Sequence, residues 1–303
     1  MSRFDHVLRV GTALRERPTG TKPSFSNSTT PLIELIRRSR RGEIDIEGVK
    51  RLLTLRGADV NARGKYQVTA LHAAVEAHNV QVAQLLIEHG ADLEARSWEG
   101  YTPLMYCFQA GMYLDLPMIE LLLQSGAKVN AVPADDPLTS LPDDEKGGWL
   151  TNTALMFACE SSFVFDSPWS LVDVVRLLLD HGADPNRING DGKTALSLSI
   201  LRYRQEVVAV LLDHGAIVTA AAIAAFATTA ATMSNWETTL RNEGASVDDI
   251  TKLRRTETRW SDIASRLSLR IREDDPLYPE FNRILSDRME HKQRVGTIVW
   301  ATK

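Results

Sequence analysis

An all-α solenoid of stacked helix hairpins, closed at its C-terminal end by a helical cap, is the fold class that this sequence predicts. Two recurring signatures predict it. The first is a leucine-rich helical end running into Gly-Ala, as in Leu85-Leu86-Ile87-Glu88-His89-Gly90-Ala91-Asp92, Leu177-Leu178-Leu179-Asp180-His181-Gly182-Ala183-Asp184 and Leu211-Leu212-Asp213-His214-Gly215-Ala216. Looser copies end at Gly57-Ala58-Asp59 and Gly126-Ala127-Lys128. The second is a Thr-Pro-Leu or Thr-Ala-Leu start, at Thr30-Pro31-Leu32, Thr69-Ala70-Leu71, Thr102-Pro103-Leu104, Thr153-Ala154-Leu155 and Thr194-Ala195-Leu196. Gly57 to Gly90 and Gly182 to Gly215 both mark a period of about 33 residues, and periods of about 20–50 residues belong to stacked arrays.

Local physics supports the same reading. A glycine after a leucine-rich helical end takes the left-handed conformation that closes the helix. Val82, Leu85 and Leu86 fall at helical spacing and face Leu71 and Val75 on the preceding segment. Such a helix pair cannot bury its apolar face alone; stacking on the next pair completes the core. Asp59-Val60-Asn61 and Asp184-Pro185-Asn186 supply turn residues that carry the link away from the helices. His89, His181 and His214 recur just before the closing glycine, where a basic side chain complements the helix dipole.

The recurring starts and ends resemble the ankyrin repeat, a helix–turn–helix unit with a β-hairpin link that opens on Thr-Pro-Leu-His. Thr69-Ala70-Leu71-His72-Ala73-Ala74 is the nearest match to that start. Met105, Met156 and Ser197 stand where the family has His, which weakens the Thr–His hydrogen bonding expected at those starts. The resemblance covers residues 30–220. It implies five clear repeats over 30–218, a degenerate sixth repeat over 219–245 and a C-terminal helical extension over 246–303. It also implies protein–protein recognition in a concave groove, as an adaptor or scaffold.

Each element follows in order. Phe4 to Leu14 reads as a short helix before the array, although Arg3, Arg9, Arg15 and Arg17 also fit a mitochondrial presequence that Asp5 and Glu16 argue against. Pro18 to Thr30 has linker composition. Repeat one is stretched by Arg37-Arg38-Ser39-Arg40-Arg41-Gly42, a solvated turn or a contact for an acidic partner. Repeats three and four carry Tyr113, Leu114, Phe163, Phe165 and Trp169 at equivalent turns, which gives either a satellite core or an exposed apolar patch. Between them, residues 133–149 replace the short link with an acidic insertion bearing Asp135, Asp136, Asp143, Asp144 and Glu145.

Beyond Ala216 the repeat decays. Thr219 to Thr232 and Trp236 to Gly244 read as the two helices of the sixth repeat. Ser246-Val247-Asp248-Asp249 then opens an amphipathic helix with Ile250, Leu253, Trp260, Ile263, Leu267 and Ile271 on one face. Pro276 and Pro279 break it. Phe281, Ile284, Leu285 and Met289 mark a further helix, and Thr297-Ile298-Val299-Trp300 an apolar tail. Solenoid ends need covering, so this extension reads as a cap, with partner binding or self-association as the alternative.

Composition excludes several functions. A net charge of -4 argues against general nucleic-acid binding. No apolar run is long enough to cross a bilayer. The two cysteines, Cys107 and Cys159, sit in first-helix positions and read as small buried residues, which fits a reducing cytoplasmic or nuclear setting. Neither a phosphate-binding glycine loop nor a metal motif occurs, so no catalytic residue, cofactor or metal is expected.

Recognition is instead expected at the hairpin tips and the first helices. The tip candidates are Lys65 and Tyr66, Trp98, Glu99 and Tyr101, Trp149 and Asn152, and Asp191 and Lys193. Gln109 and Glu160 add the first-helix contribution. Aromatic residues dominate interface energetics, which makes Trp98, Tyr101 and Trp149 the expected anchors for another protein. The alternative is a small-molecule or catalytic pocket between these aromatics and the carboxylates of residues 135–145.

Overall fold

A computed structural model of the chain describes residues 30–38, 45–54, 57–108, 114–133, 151–161, 170–243 and 247–295. Thirteen α-helices occupy these residues. Five hairpins come first: α1 (Pro31–Arg38) with α2 (Ile46–Thr54), α3 (Ala70–Glu76) with α4 (Val80–Glu88), α5 (Pro103–Tyr106) with α6 (Leu116–Gln124), α7 (Ala154–Glu160) with α8 (Leu171–Asp180), and α9 (Ala195–Leu201) with α10 (Gln205–Asp213). Three longer helices follow: α11 (Ala220–Glu243), α12 (Val247–Ser268) and α13 (Tyr278–Val295).

The stacking is regular. First helices pack on first helices along the row α1, α3, α5, α7, α9 and α11, and second helices pack along α2, α4, α6, α8, α10 and α12. One apolar seam runs through both rows from Leu32 to Ile284. It contains the residues that the repeat pattern placed inside, Leu71, Val75, Val82 and Leu86 among them. The expected all-α solenoid is the observed architecture. Its links fold back as hairpin tips closed by backbone bonds, such as Ser97 N–H to the Tyr101 carbonyl at 3.0 Å and Asn189 N–H to Lys193 at 2.9 Å. Among the described residues these tips form no strands.

The recurring residues each have a physical job at the helix ends. The start threonines are N-caps: the hydroxyls of Thr102, Thr153 and Thr194 accept from the backbone N–H three residues on, at 3.3, 3.4 and 3.3 Å. Gly90 has φ 83°, and beside it Ala91 N–H reaches back to the Leu86 carbonyl at 2.9 Å, closing the helix as anticipated. Gly100 is required for a second reason, because a Cβ there would lie 2.6 Å from the Pro133 carbonyl oxygen. The three histidines cap as their position predicts: Nδ1 of His89, His181 and His214 lies 2.8, 2.9 and 2.7 Å from the carbonyl four residues back.

The C-terminal region differs from expectation in two places. Residues 219–245 do not form a helix pair. Ala220–Glu243 form the single helix α11, because the alanine-rich segment through Thr232-Met233-Ser234-Asn235 holds no glycine or proline to interrupt it. The sixth hairpin is therefore α11 with α12, and α12 takes the second-helix position against α10. The break before α13 comes at Leu269 and Arg270, ahead of Pro276, while Pro279 sits in the first turn of α13, where its missing N–H costs nothing. The expected helix over Phe4 to Leu14, its linker and the tail Thr297 to Trp300 lie outside the described residues.

Candidate interaction surface

The links between hairpins are tied to one another by two repeated devices. The first is an asparagine staple. Asn61 donates its amide to the Gly90 carbonyl at 3.0 Å and accepts from Asp92 N–H at 2.7 Å. Asn130 does the same to Gly182 and Asp184, at 2.9 Å in both bonds. Asn186 does it to Gly215 and Ile217, at 3.1 and 2.7 Å. The second device is an arginine brace. Arg63 donates to the Arg96 carbonyl at 3.0 Å, Arg96 to Val132 at 2.6 Å and Arg187 to Asn130 at 3.1 Å. Guanidinium donors of fixed geometry thus hold each link against its neighbour.

The hairpin tips are fixed by the same cross-linking. Trp98 N–H donates to the Tyr66 carbonyl at 2.8 Å, which sets the second tip against the third. Tyr66 lies in the left-handed region at φ 60°, and the Lys65 ammonium stands 4.9 Å from its ring centroid. Lys65, Tyr66, Trp98 and Glu99 are all half-buried, and Asp191 is exposed with Lys193 half-buried beside it. These six candidates lie on the tips before the second, third and fifth repeats.

Three other candidates take structural positions. Asn152 is wholly buried: its Oδ1 accepts from Asn189 at 2.7 Å and its Nδ2 donates to Glu160 at 2.9 Å. Glu160 is the half-buried end of that chain. Tyr101 turns its ring edge-on to Phe157, 5.4 Å between centroids, and its carbonyl receives His72. The residue just before the start threonine thus turns inward at Tyr101 and Asn152, as it does at Val68, which is 3% exposed, while Lys193 in the same position stays half-buried. Gln109, Trp149 and the insertion residues Asp135, Asp136, Asp143, Asp144 and Glu145 lie outside the described residues, as do Tyr113, Phe163, Phe165 and Trp169. Leu114, from the same expected cluster, is buried.

Three buried titratable groups of the repeats, His72, Cys107 and Cys159, take structural positions. His72 joins two repeats: Nδ1 lies 2.9 Å from the Thr69 hydroxyl and Nε2 lies 3.0 Å from the Tyr101 carbonyl. A carbonyl only accepts, so the proton is on Nε2. Burial pushes the His72 pKa down to about 4. Its folded value is below the unfolded one, so the stability it contributes is complete above about pH 6.5 and is lost as pH falls towards 4. We expect His72→Gln to flatten the acid limb of a pH–stability profile measured by urea unfolding between those values. Burial likewise raises the Cys159 thiol to about 11 and the Cys107 thiol well above the usual range, so both cysteines are inert packing residues. Among the described residues no helix is long and apolar enough to cross a membrane, and no group of His, Cys, Asp or Glu is placed to hold a metal.

Sequence reasoning missed one polar feature altogether. Arg288 of α13 makes two 2.6 Å bonds to Glu237 of α11, with both side chains almost fully buried. Glu257 of α12 stands 3.8 Å from the same guanidinium and pairs with Lys292, and His291 Nε2 lies 3.4 Å from Glu237. These residues come from three separate helices at no shared period, so only the fold brings them together.

Helix hairpins stacked through one seam, with hydrogen-bonded tips along one edge, define a repeat-built helical solenoid. The profile for ankyrin repeats (three copies) matches residues 27–132 and 139–222, well over half of the 303 residues, and the chain belongs to the ankyrin-repeat family. Ankyrin repeats are in general protein–protein interaction modules. The chain is similar to ankyrin repeat and MYND domain-containing protein 1 of Homo sapiens, at 32% identity over 197 residues, covering 55% of this chain and 20% of that protein. It is also similar to the ankyrin repeat protein YahD of Escherichia coli (strain K12), at 28% identity, covering 57% of this chain and 92% of YahD. A shorter match of 47% identity over 55 residues is to potassium channel AKT1 of Oryza sativa subsp. indica, 18% of this chain and 6% of the channel. The chain thus spans about a fifth of the length of the human relative.

Proposed function

We propose that the protein is an intracellular adaptor or scaffold that grips another protein in the groove formed by its hairpin tips and first helices. The observation that carries this reading is the row of fixed tips. Trp98 is held by its backbone to Tyr66, and Lys65 and Glu99 stand beside them with part of their surface open. A rigid array of aromatic and charged side chains loses little entropy on binding. Cys107 and Cys159 as buried free thiols suit a reducing cytoplasmic or nuclear compartment. The reading of a small-molecule or catalytic pocket gains no support, because Tyr101, one of its three walls, spends its ring on Phe157.

The test is affinity capture from a lysate of the native source. We expect Trp98→Ala together with Trp149→Ala to reduce partner recovery at least tenfold, the scale of losing one interface hot spot of about 2 kcal/mol, with little change in Tm. Undiminished recovery by the double variant contradicts the groove assignment.

A further inference from the structure

The staple position occurs at four junctions in the described array, and at one of them the residue is different. Asn61, Asn130 and Asn186 each bridge to the next closing glycine with one donated and one accepted bond. At the junction between the second and third hairpins the position holds Glu94. Its Oε1 accepts from Lys128 N–H at 2.7 Å, which reproduces the accepting half of the staple. An ionised carboxylate has no proton to give, so the donating half, which the Gly126 carbonyl would receive by analogy with Gly90, Gly182 and Gly215, cannot form. The other carboxylate oxygen, Oε2, is buried and has no hydrogen-bond partner. A buried polar atom left in that state is destabilising, because it has given up its hydrogen bonds to water without replacing them. A proton on Oε2 changes the account, because the O–H becomes a donor and the side chain then offers one donor and one acceptor, like the asparagines.

We propose that Glu94 is a proton-operated latch on the seam between the second and third repeats, loose when the carboxylate is ionised and closed when Oε2 carries a proton. The junction has few other reserves. Its first helix, α5, is only four residues long. Besides apolar packing, the seam is crossed by the Arg96 brace to the Val132 carbonyl, the His72 bond to the Tyr101 carbonyl and a 3.3 Å contact of His78 Nδ1 with Asp115. The charged groups that act on Glu94 are Lys128 and Arg96, which favour ionisation, and Asp92, which opposes it; burial outweighs them and raises its pKa above the usual carboxylate value. The sign follows. Since the folded value is the higher one, the closed form contributes fully below the unfolded value of about 4.5 and is lost as pH rises through the folded one. At neutral pH the array therefore has one deliberately weak junction, and a repeat array can open at such a junction without unfolding as a whole.

Hydrogen exchange of the full chain, followed by NMR, tests this with built-in controls. Ala91, Ala127, Ala183 and Ala216 N–H make the same bond to the carbonyl five residues back, at 2.9, 3.0, 3.0 and 2.9 Å, and differ in the staple residue over them. At pH 7 Ala127 is expected to have the lowest protection factor of the four. Glu94→Gln, which places a permanent donor at the buried atom, is expected to raise it about fivefold to tenfold, the effect of one recovered hydrogen bond, and to leave the other three unchanged. Lowering the pH from 7 to 4.5 is expected to raise Ala127 protection in the wild type and not in the variant. The reciprocal change, Asn186→Glu, is expected to lower Ala216 protection in the same way. Equal protection at all four amides at pH 7, or a gain in Ala127 protection on acidification that persists in Glu94→Gln, overturns the latch.

Discussion

Arg288→Ala is expected to lower the stability of the C-terminal helices by about 3–5 kcal/mol, the cost of breaking one partner out of a buried ion pair. The guanidinium is 4% exposed and holds Glu237 through two short bonds while also facing Glu257 and reaching the Ser234 hydroxyl at 3.4 Å. Truncating it leaves two carboxylates inside the protein, Glu237 beside His291 and Glu257 beside Lys292, without the guanidinium that faces both. The loss should be local in origin: α11, α12 and α13 lose protection first, and the amides of α3 and α4, several hairpins away, keep theirs. Urea unfolding with hydrogen exchange on the same sample reads both. The pair Arg288→Met with Glu237→Met is expected to recover much of the loss, because apolar side chains of similar size remove both charges at once. An Arg288→Ala variant within about 1 kcal/mol of the wild type would show that the pair is solvated and that the helices are held by packing alone.

Phe226→Ala is expected to cost a comparable amount, about 3–5 kcal/mol, for a different reason. Phe226 has no exposed surface and stacks on Trp260 of α12 at 4.5 Å with 12° between the planes, and its centroid lies 5.6 Å from Phe281 of α13. The three rings join the three last helices to the end of the apolar seam, so the cavity opens where α11 couples the repeats to the cap. Phe226→Leu keeps most of the volume and should lose less than half as much. The midpoint of thermal unfolding for the three proteins should rank wild type, Leu, Ala. A ranking in which Leu and Ala are equal would mean that the helices close around the gap, and that the stack does not rely on this ring.

The two effects also mark what the sequence could and could not reveal. The repeating core was legible because each hairpin states the same local chemistry, a start threonine, an apolar face at helical spacing and a glycine closure, with a histidine over the last turn in three of the five. All of these act within one or two turns of chain, so period alone exposes them. Alanine-rich α11 was misread as two helices because a period of about 33 residues was carried past the point where its punctuation stops; no glycine or proline stands between Thr232 and Trp236. The Arg288–Glu237 pair has a sequence separation of 51, and nothing local distinguishes Arg288 from the neighbouring basic residues of α13. It could be suspected only once α13 is known to pack on α11.

The candidate surface was legible in part, and for a similar reason. Counting back from each start threonine located the tips, and Lys65, Tyr66, Trp98, Glu99, Asp191 and Lys193 do line them. The same count gave no way to tell an outward tip residue from the one just before the threonine. In the third and fourth repeats that position turns inward to meet the neighbouring repeat, which removes Asn152 from the partner-facing set and commits Tyr101 to Phe157, while Lys193 in the fifth stays half-buried. The asparagines at 61 and 186 were legible as turn residues; their role as staples depends on the next repeat, about 30 residues away. Glu94 became conspicuous only against those copies.

The most direct test of the account is site-specific photo-crosslinking from position 98 in a lysate of the native source, with position 289 on α13 as the comparison. Met289 is 63% exposed and belongs to the C-terminal helices, so it samples partner binding or self-association through the cap. The account predicts a discrete cross-linked partner from position 98 and none from position 289. Adducts from position 289 alone would place recognition on the C-terminal helices and contradict the groove.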